Sequence, residues 1–523
     1  MKFTMLACTL TAFLISATAQ ARPPVDGEVA QLATAIQRGL RPSVVKAGEP
    51  VPAWTLAERM AHYNVPGVAI ALVKDGKLAY AAGYGAREAG TQDAVDADTL
   101  FSVGSVSKMI TAATTLQLVS QGKIDLDRDV NTYLKSWRIP DAPGIEHPTV
   151  TTRMLLSHTS GLTVHGFKDY QPAETLPTLV QTLNGTPPAK NKPIVLQREP
   201  GTQSDYSGGG VMVEQQMIED LTGHPLDAVA RAQVFERAGM RRSTFESPLS
   251  AARGNIAKAH DGKGALTALP RGWESFPEQA ASGLWTSAND LGVFVAALIG
   301  SYRGEKGALL PKAIAMQMLT EVSPGTRGLG PDLAGTGNTR RFVHNGDNDS
   351  YHAGIEGYPQ TGYGFAILTN GKNGIALRGE IRNAISDALR DGIKPTIRTI
   401  ALDLDAPIYA DYAGTYRLDP AQPMDVRGAL PDWFDYESIA VKVGNGAITI
   451  DLPEEPTAEL SPLSPNRFLA AKAGAELEFH RDAHGIVHAL SVVAGGSRAY
   501  YRRQQAAQPV PAAVARESGR THR

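Results

Sequence analysis

Ser105 and Lys108 stand three residues apart in TLFSVGSVSKMITAATTLQLVSQGKIDL, residues 99–126, at the front of a run whose apolar positions suit a buried helix. Three residues along an α-helix is a rise of about 4.5 Å and puts both side chains on one face, so the amine can reach the hydroxyl. Gly104 permits a sharp turn into that helix, which predicts Ser105 at its N-terminus. Unpaired backbone N–H groups and the positive end of the helix dipole favour developing negative charge there. A serine hydroxyl becomes a nucleophile when a base takes its proton, and a lysine in a dry site can be that base. The same spacing recurs at Ser43 and Lys46, between Pro42 and Pro50, and at Ser120 and Lys123, where Gly122 should end the helix. Those two read as surface pairs, and spacing alone does not make Ser105 catalytic.

Two later stretches carry further candidates. PGTQSDYSGGG, residues 200–210, sets Tyr206 in a tight loop; its phenol can pass a proton to a departing alkoxide or amine, although taken singly it reads as a packed loop tyrosine. RFVHNGDNDSYHAGIEGYPQTGYGFAILTNG, residues 341–371, holds His344, Gly346 and Asp347 ahead of an apolar strand. A single histidine beside a glycine reads as structural or exposed.

The elements that must bring these residues together are legible in outline. Residues 66–85 read as two strands joined by the Asp75-Gly76 turn, 362–371 as a strand and 377–392 as an amphipathic helix. Sheet at both ends with helices between predicts an α/β (α+β) domain over 50–393, built from both its termini with a helical lobe inserted and a cleft between the lobes. A separate segment, 22–49, precedes it. After a linker at 394–408 the pattern changes to short alternating runs separated by turns such as Gly444-Asn445-Gly446, which predicts an all-β module over 409–503. The tail, 504–523, is polar and rich in Ala and Pro and is expected to be disordered.

Composition narrows the function classes. Residues 1–21 read as a secretory signal: Lys2, an apolar run from Met5 to Ile15, then small residues ending at Ala21. A lipoprotein reading would use Cys8, but almost no apolar stretch precedes it. Cys8 is the only cysteine, so cleavage after Ala21 leaves a chain without disulfides or thiol chemistry, as suits a periplasmic or secreted protein. No later window predicts a membrane span. The formal charge of −2 becomes −3 on losing Lys2, with acids and bases interspersed, which argues against a nucleic-acid partner. No His/Cys/Asp grouping has metal-ligand spacing, and no cofactor is expected.

Taken together, Ser-x-x-Lys at a helix start, a tyrosine about 100 residues on and His-x-Gly at the edge of a late strand resemble the penicillin-recognising serine hydrolases. The likeness is nearest to the class C β-lactamase branch with its D-aminopeptidases, carboxypeptidase-like enzymes and esterases. LLSHTSGL at 155–162 and GLWTSANDLGVF at 283–294 agree in order, and the likeness runs from Val51 to Leu389. It implies a β-lactamase/transpeptidase-like fold, an antiparallel sheet with a helical lobe, and a C-terminal module similar to lipocalin-like appendages. It implies Ser105 as acylated nucleophile, Lys108 as base and Tyr206 as proton shuttle. It implies substrate lying against His344, Gly346, Asp347 and Gly208, with the oxyanion held by the N–H groups of Ser105 and Asp347. His158 and Trp285 read as structural. Two departures bear on substrate: Gly208 stands where relatives carry an amide that contacts the substrate, and His344 where many carry lysine. The reading is a hydrolase acting through an acyl-enzyme on a D-residue peptide, a small ester or, weakly, a β-lactam. The rival is a silent binding protein that senses peptidoglycan fragments, for which the Ser105, Lys108 and Tyr206 set would be superfluous.

Overall fold

The computed structural model describes residues 27–146, 148–419, 421, 437–451, 457–471, 474–494 and 497–504. The expected signal at 1–21, with Cys8, and the tail beyond Gln504 lie outside the described residues.

The first domain is a six-stranded antiparallel sheet between two helical layers. In chain order its main elements are α1 (Gly27–Arg38), α2 (Leu56–Tyr63), β1 (Gly67–Lys74), β2 (Lys77–Gly85), α3 (Ser107–Ser120), α4 (Gly208–Thr222), α5 (Ala288–Arg303), β3 (Asp332–Ala334), β4 (Arg341–Asp347), β5 (His352–Gly357), β6 (Gly364–Thr369) and α6 (Gly374–Leu389). The strand order is β2-β1-β6-β5-β4-β3, so a hairpin from the start of the domain pairs with strands from its end. Asp75 and Gly76 both have positive φ, the conformation an Asp-Gly hairpin turn supplies. β1 is buried along nearly its whole length because both faces of the sheet are covered. One face packs on α5, α3 and α4 through a core that includes Val106, Met109, Ile110 and Leu116; the other packs on α1, α2 and α6 through Ile36, Leu40, Leu377 and Ile381.

Segment 27–49 belongs physically to this second layer. α1 buries Val29, Ala33 and Ile36; Arg41 makes a bidentate pair with Asp387 at the end of α6 and donates to the Lys394 carbonyl. Val44 and Val45 form a two-residue parallel pair with Ile397 and Arg398, which ties the linker to the domain.

The C-terminal module is a nearly closed antiparallel sheet of nine strands: β7 (Gly414–Leu418), β8 (Ser438–Gly444), β9 (Ala447–Asp451), β10 (Ala458–Glu459), β11 (Ser461–Ser464), β12 (Arg467–Ala470), β13 (Ala475–Arg481), β14 (Val487–Ala494) and β15 (Ser497–Arg503). Their order is β10-β9-β8-β7-β15-β14-β13-β12-β11. The two end strands are consecutive in sequence, so the sheet curls until its edges adjoin. Aromatic rings fill the interior, with Tyr412 stacked on Phe479 at 4.0 Å and Phe468 and Tyr416 edge-on to Phe479. A cavity of about 1050 Å³ separates this module from the outer side of α6. It is lined by Ile375 and Gly379 on one side and Leu469 and Val493 on the other.

Candidate active site

Ser105 lies in a single 3₁₀ turn, Gly104–Val106, that runs directly into the fourteen-residue α3. Lys108, 3% exposed, places its Nζ 3.0 Å from Ser105 Oγ and 2.8 Å from the Ala281 carbonyl oxygen. The first distance suits proton transfer between the two groups. A short helical turn, Gln279–Ser282, is pinned to α3 nearby: Thr111 Oγ donates to the Ala280 carbonyl, and Ser107 Oγ accepts from Leu284 N. These bonds hold the lysine, and among the described residues it has no carboxylate partner.

β4 brings the second wall. A Cβ on Gly346 would fall 2.8 Å from both Ser105 N and Val106 N and closer still to the Val103 carbonyl oxygen, so only glycine lets the strand rest against the Ser105 turn. On the other side of that contact, Gly104 has φ +47° and packs against Gly346, Asp347 and Asn348. The amides of Ser105 and Asp347 therefore sit at one seam. The Asp347 side chain is fixed by His352 Nδ1 at 2.8 Å and Arg378 Nη1 at 2.9 Å. Burial works to raise its pKa, but the bond from His352 and the field of Arg378 prevail and hold the carboxyl below its usual range.

Tyr206 joins the pair. Its ring centroid is 4.9 Å from Lys108 Nζ and 5.0 Å from the Arg327 guanidinium, and its ring packs on His158 at 4.4 Å and His165 at 4.9 Å. His158 positions the tyrosine from both sides: its carbonyl accepts from Asp205 N at 2.8 Å and its Nδ1 from Ser207 N at 3.2 Å. Burial, with the charges of Arg327 and Lys108 acting the same way, pushes the His158 pKa well below that of free histidine, so the ring remains a neutral acceptor. Ser207 caps α4 through its Oγ and Gly210 N. Gly208 stands where the 164–167 loop crosses α4; a Cβ there would lie 2.9 Å from the His165 carbonyl oxygen and 3.0 Å from Phe167, so no amide side chain fits.

His344 is brought to the same wall but sits inside it. It is 2% exposed, its Nδ1 is 2.7 Å from the Asn345 carbonyl, and its Nε2 is buried with no hydrogen-bond partner among the described residues. Burial pushes its pKa down to about 4, Lys108 and Arg327 act in the same direction, and Asp332 opposes them. A histidine walled in by packing stays neutral at pH 7 and offers a substrate carboxylate no charge. The cation at this wall is Arg327, paired with Asp332 at 2.6 Å. Nothing in PGTRGLG, residues 324–330, distinguishes that arginine in the sequence. Trp285 pairs with Ser102 in a two-residue ladder and meets Tyr351 edge-on at 5.5 Å, so it braces the turn that carries Ser105. Among the described residues no group of His, Cys, Asp or Glu side chains is arranged to hold a metal ion.

The beta-lactamase family profile matches residues 54–390, a span that contains every side chain of this site. The chain belongs to the beta-lactamase family. Among its beta-lactamase-family relatives, penicillin-binding protein 4 of Amycolatopsis lactamdurans is 31% identical over 220 residues, 42% of this chain and 55% of that protein. The D-aminopeptidase of Brucella anthropi is 26% identical over 300 residues, 54% of this chain and 52% of that protein. The chain thus spans about half the length of these relatives. In fold it is similar to the crystal structure of SurE with D-Leu, with a TM-score of 0.53 at 21% identity over 86% of this chain and 97% of that one. That coverage takes in the C-terminal module as well as the beta-lactamase domain.

Proposed function

We propose that the protein is a serine hydrolase that cleaves amide or ester bonds through an acyl-enzyme on Ser105. The observation that carries this reading is the 3.0 Å separation of Lys108 Nζ and Ser105 Oγ in a buried site with Tyr206 alongside. Lys108 takes the hydroxyl proton as Ser105 Oγ attacks the carbonyl carbon, and the oxyanion forms at the seam where the Ser105 and Asp347 amides meet. Tyr206 passes a proton to the leaving group, and water then attacks the ester with the same groups in reverse. A sensor that only binds has no use for a dry lysine against a serine.

The substrate we infer is a small ester or a peptide with a D-residue. The crowded α4 start leaves no amide at Gly208, and neutral His344 gives no fixed charge for a carboxylate, so β-lactam turnover should be weak. No helix among the described residues is long and apolar enough to cross a membrane. The signal read at 1–21 supports export to the periplasm or out of the cell. The test is a screen of purified protein against nitrocefin, p-nitrophenyl esters and D-amino acid p-nitroanilides. Turnover that is absent from all three, in protein whose Ser105 is intact, would overturn the reading.

A further inference from the structure

A smaller cavity lies on the face of the sheet turned away from Ser105. Side chains alternate along β4: Phe342 joins the core that contains Val106, and Gly346 rests on the Ser105 turn, so Arg341, Val343 and Asn345 point to the opposite face. There, beneath α6, is a cavity of about 420 Å³. Four cationic side chains stand in its wall: Arg341 from β4, Arg378 and Arg382 from α6, and Lys394 from the segment that follows. Two acids, Asp332 and Glu356, share that wall.

Both acids are already engaged. Asp332 pairs with Arg327 at 2.6 Å. Glu356 accepts from Arg382 Nε and Nη2 at 2.5 and 2.8 Å and from the Tyr358 hydroxyl at 2.9 Å, and it stands 3.5 Å from Arg341 Nε, so one carboxylate serves two guanidinium groups. Arg378 is committed to Asp347 and the Ala353 carbonyl. Asp391, whose charge is felt by Arg382 and Lys394, is held instead by Ser386 Oγ and the Ile393 amide. Three donors are left over. Arg382 is 6% exposed and its Nη1 is buried with no hydrogen-bond partner; Arg341 Nε is buried and makes no hydrogen bond. Lys394 is exposed, and among the described residues its Nζ has neither a hydrogen bond nor an ion pair.

A buried guanidinium N–H without an acceptor is destabilising, and a charge-assisted bond to an incoming oxyanion relieves it. The remainder of the wall is apolar: Phe365, Ile367 and Ile375 line it, with the Phe365 ring 5.0 Å from the Arg382 guanidinium. A cavity of this size suits a small molecule. We propose that it is a binding site for a small organic anion, whose carboxylate or phosphate group is held by Arg341, Arg382 and Lys394 and whose apolar body lies against Phe365, Ile367 and Ile375. The site is across the sheet from Ser105 and does not depend on the hydrolase reading.

The test is calorimetric titration of the whole chain at pH 7 with benzoate, phenyl phosphate, the neutral analogue benzamide and inorganic phosphate. One or both ring anions should bind saturably, at least about tenfold more tightly than benzamide and than inorganic phosphate, and their order identifies the preferred head group. Arg341→Gln and Lys394→Gln should each weaken that binding by about tenfold. Lys394→Gln removes a side chain with no bond to lose, so its thermal midpoint should match wild type. Both positions are remote from the Ser105 cleft, and binding that is unmoved in both variants belongs elsewhere and overturns the site. So does the absence of saturable binding by either ring anion, or benzamide binding as tightly as they do. Inorganic phosphate as tight as phenyl phosphate and benzoate would overturn the apolar half of the proposal.

Discussion

Gly346→Ala should disable the enzyme without removing any group that does chemistry. The new methyl would lie 2.8 Å from Ser105 N and Val106 N and would collide harder with the Val103 carbonyl oxygen. All three atoms belong to the turn that carries Ser105. Real carbon contacts need more room than this, so β4 and that turn must separate by about 1 Å, a displacement that typically lowers turnover about 100-fold when it falls on reacting groups. In energy that is about 2.7 kcal/mol of transition-state stabilisation. Overpacking of this kind lowers stability by about 1–3 kcal/mol, small enough for the domain to remain folded at 25 °C. The assay is the rate of fluorophosphonate labelling together with the acylation burst on p-nitrophenyl acetate, with circular dichroism to show a native fold. Gly379→Ala is the control: it lies in α6 with nothing within 4 Å of its added methyl, and should label like wild type. Folded Gly346→Ala that labels within threefold of wild type would refute the claim that close contact between β4 and the Ser105 turn builds the oxyanion site.

Three further outcomes are expected. Lys108→Ala should slow acylation by about 10²–10⁴-fold while the thermal midpoint moves little, since it deletes the base and one carbonyl contact; acylation at the wild-type rate would exclude Lys108 as base. His344, with its folded pKa near 4 against about 6.5 unfolded, is protonated only in the unfolded chain between those values, so it favours unfolding as pH falls through that window, by up to about 3 kcal/mol. Thermal midpoints measured from pH 7 to 4 should therefore fall less steeply in His344→Asn than in wild type, and parallel slopes would count against a buried neutral ring. A chain of residues 27–400 should fold and label at Ser105, because the cores of the first domain contain nothing beyond Ile393 and the core of the β module nothing before Leu402; an insoluble or unlabelled product would make the module part of the hydrolase.

How far the sequence carried this account depended on whether contacts were local. The 66–85 hairpin and the start of α3 follow from a turn dipeptide and a glycine, and the structure forms both where those residues stand. The runs at 439–443, 447–452 and 476–481 alternate clearly enough to read as strands, whereas β10 and β11, of two and four residues with Pro462 inside β11, have no pattern long enough to see. The parallel pair of Val44–Val45 with Ile397–Arg398 joins residues some 350 apart and leaves no local trace. Within the site, Ser105, Lys108 and Tyr206 were legible as chemistry. The burial of His344 was not, because it depends on which face of β4 meets the helical lobe. Arg327 was invisible for the same reason: its place against Tyr206 comes from neighbours distant in sequence.

The account stands or falls on where the acyl group is carried. Incubation with a fluorophosphonate, followed by proteolysis and mass spectrometry, should yield one adduct on the peptide containing Ser105, present in wild type, Ser43→Ala and Ser120→Ala and lost in Ser105→Ala. An adduct that survives Ser105→Ala, or that maps to Ser43 or Ser120, would contradict it.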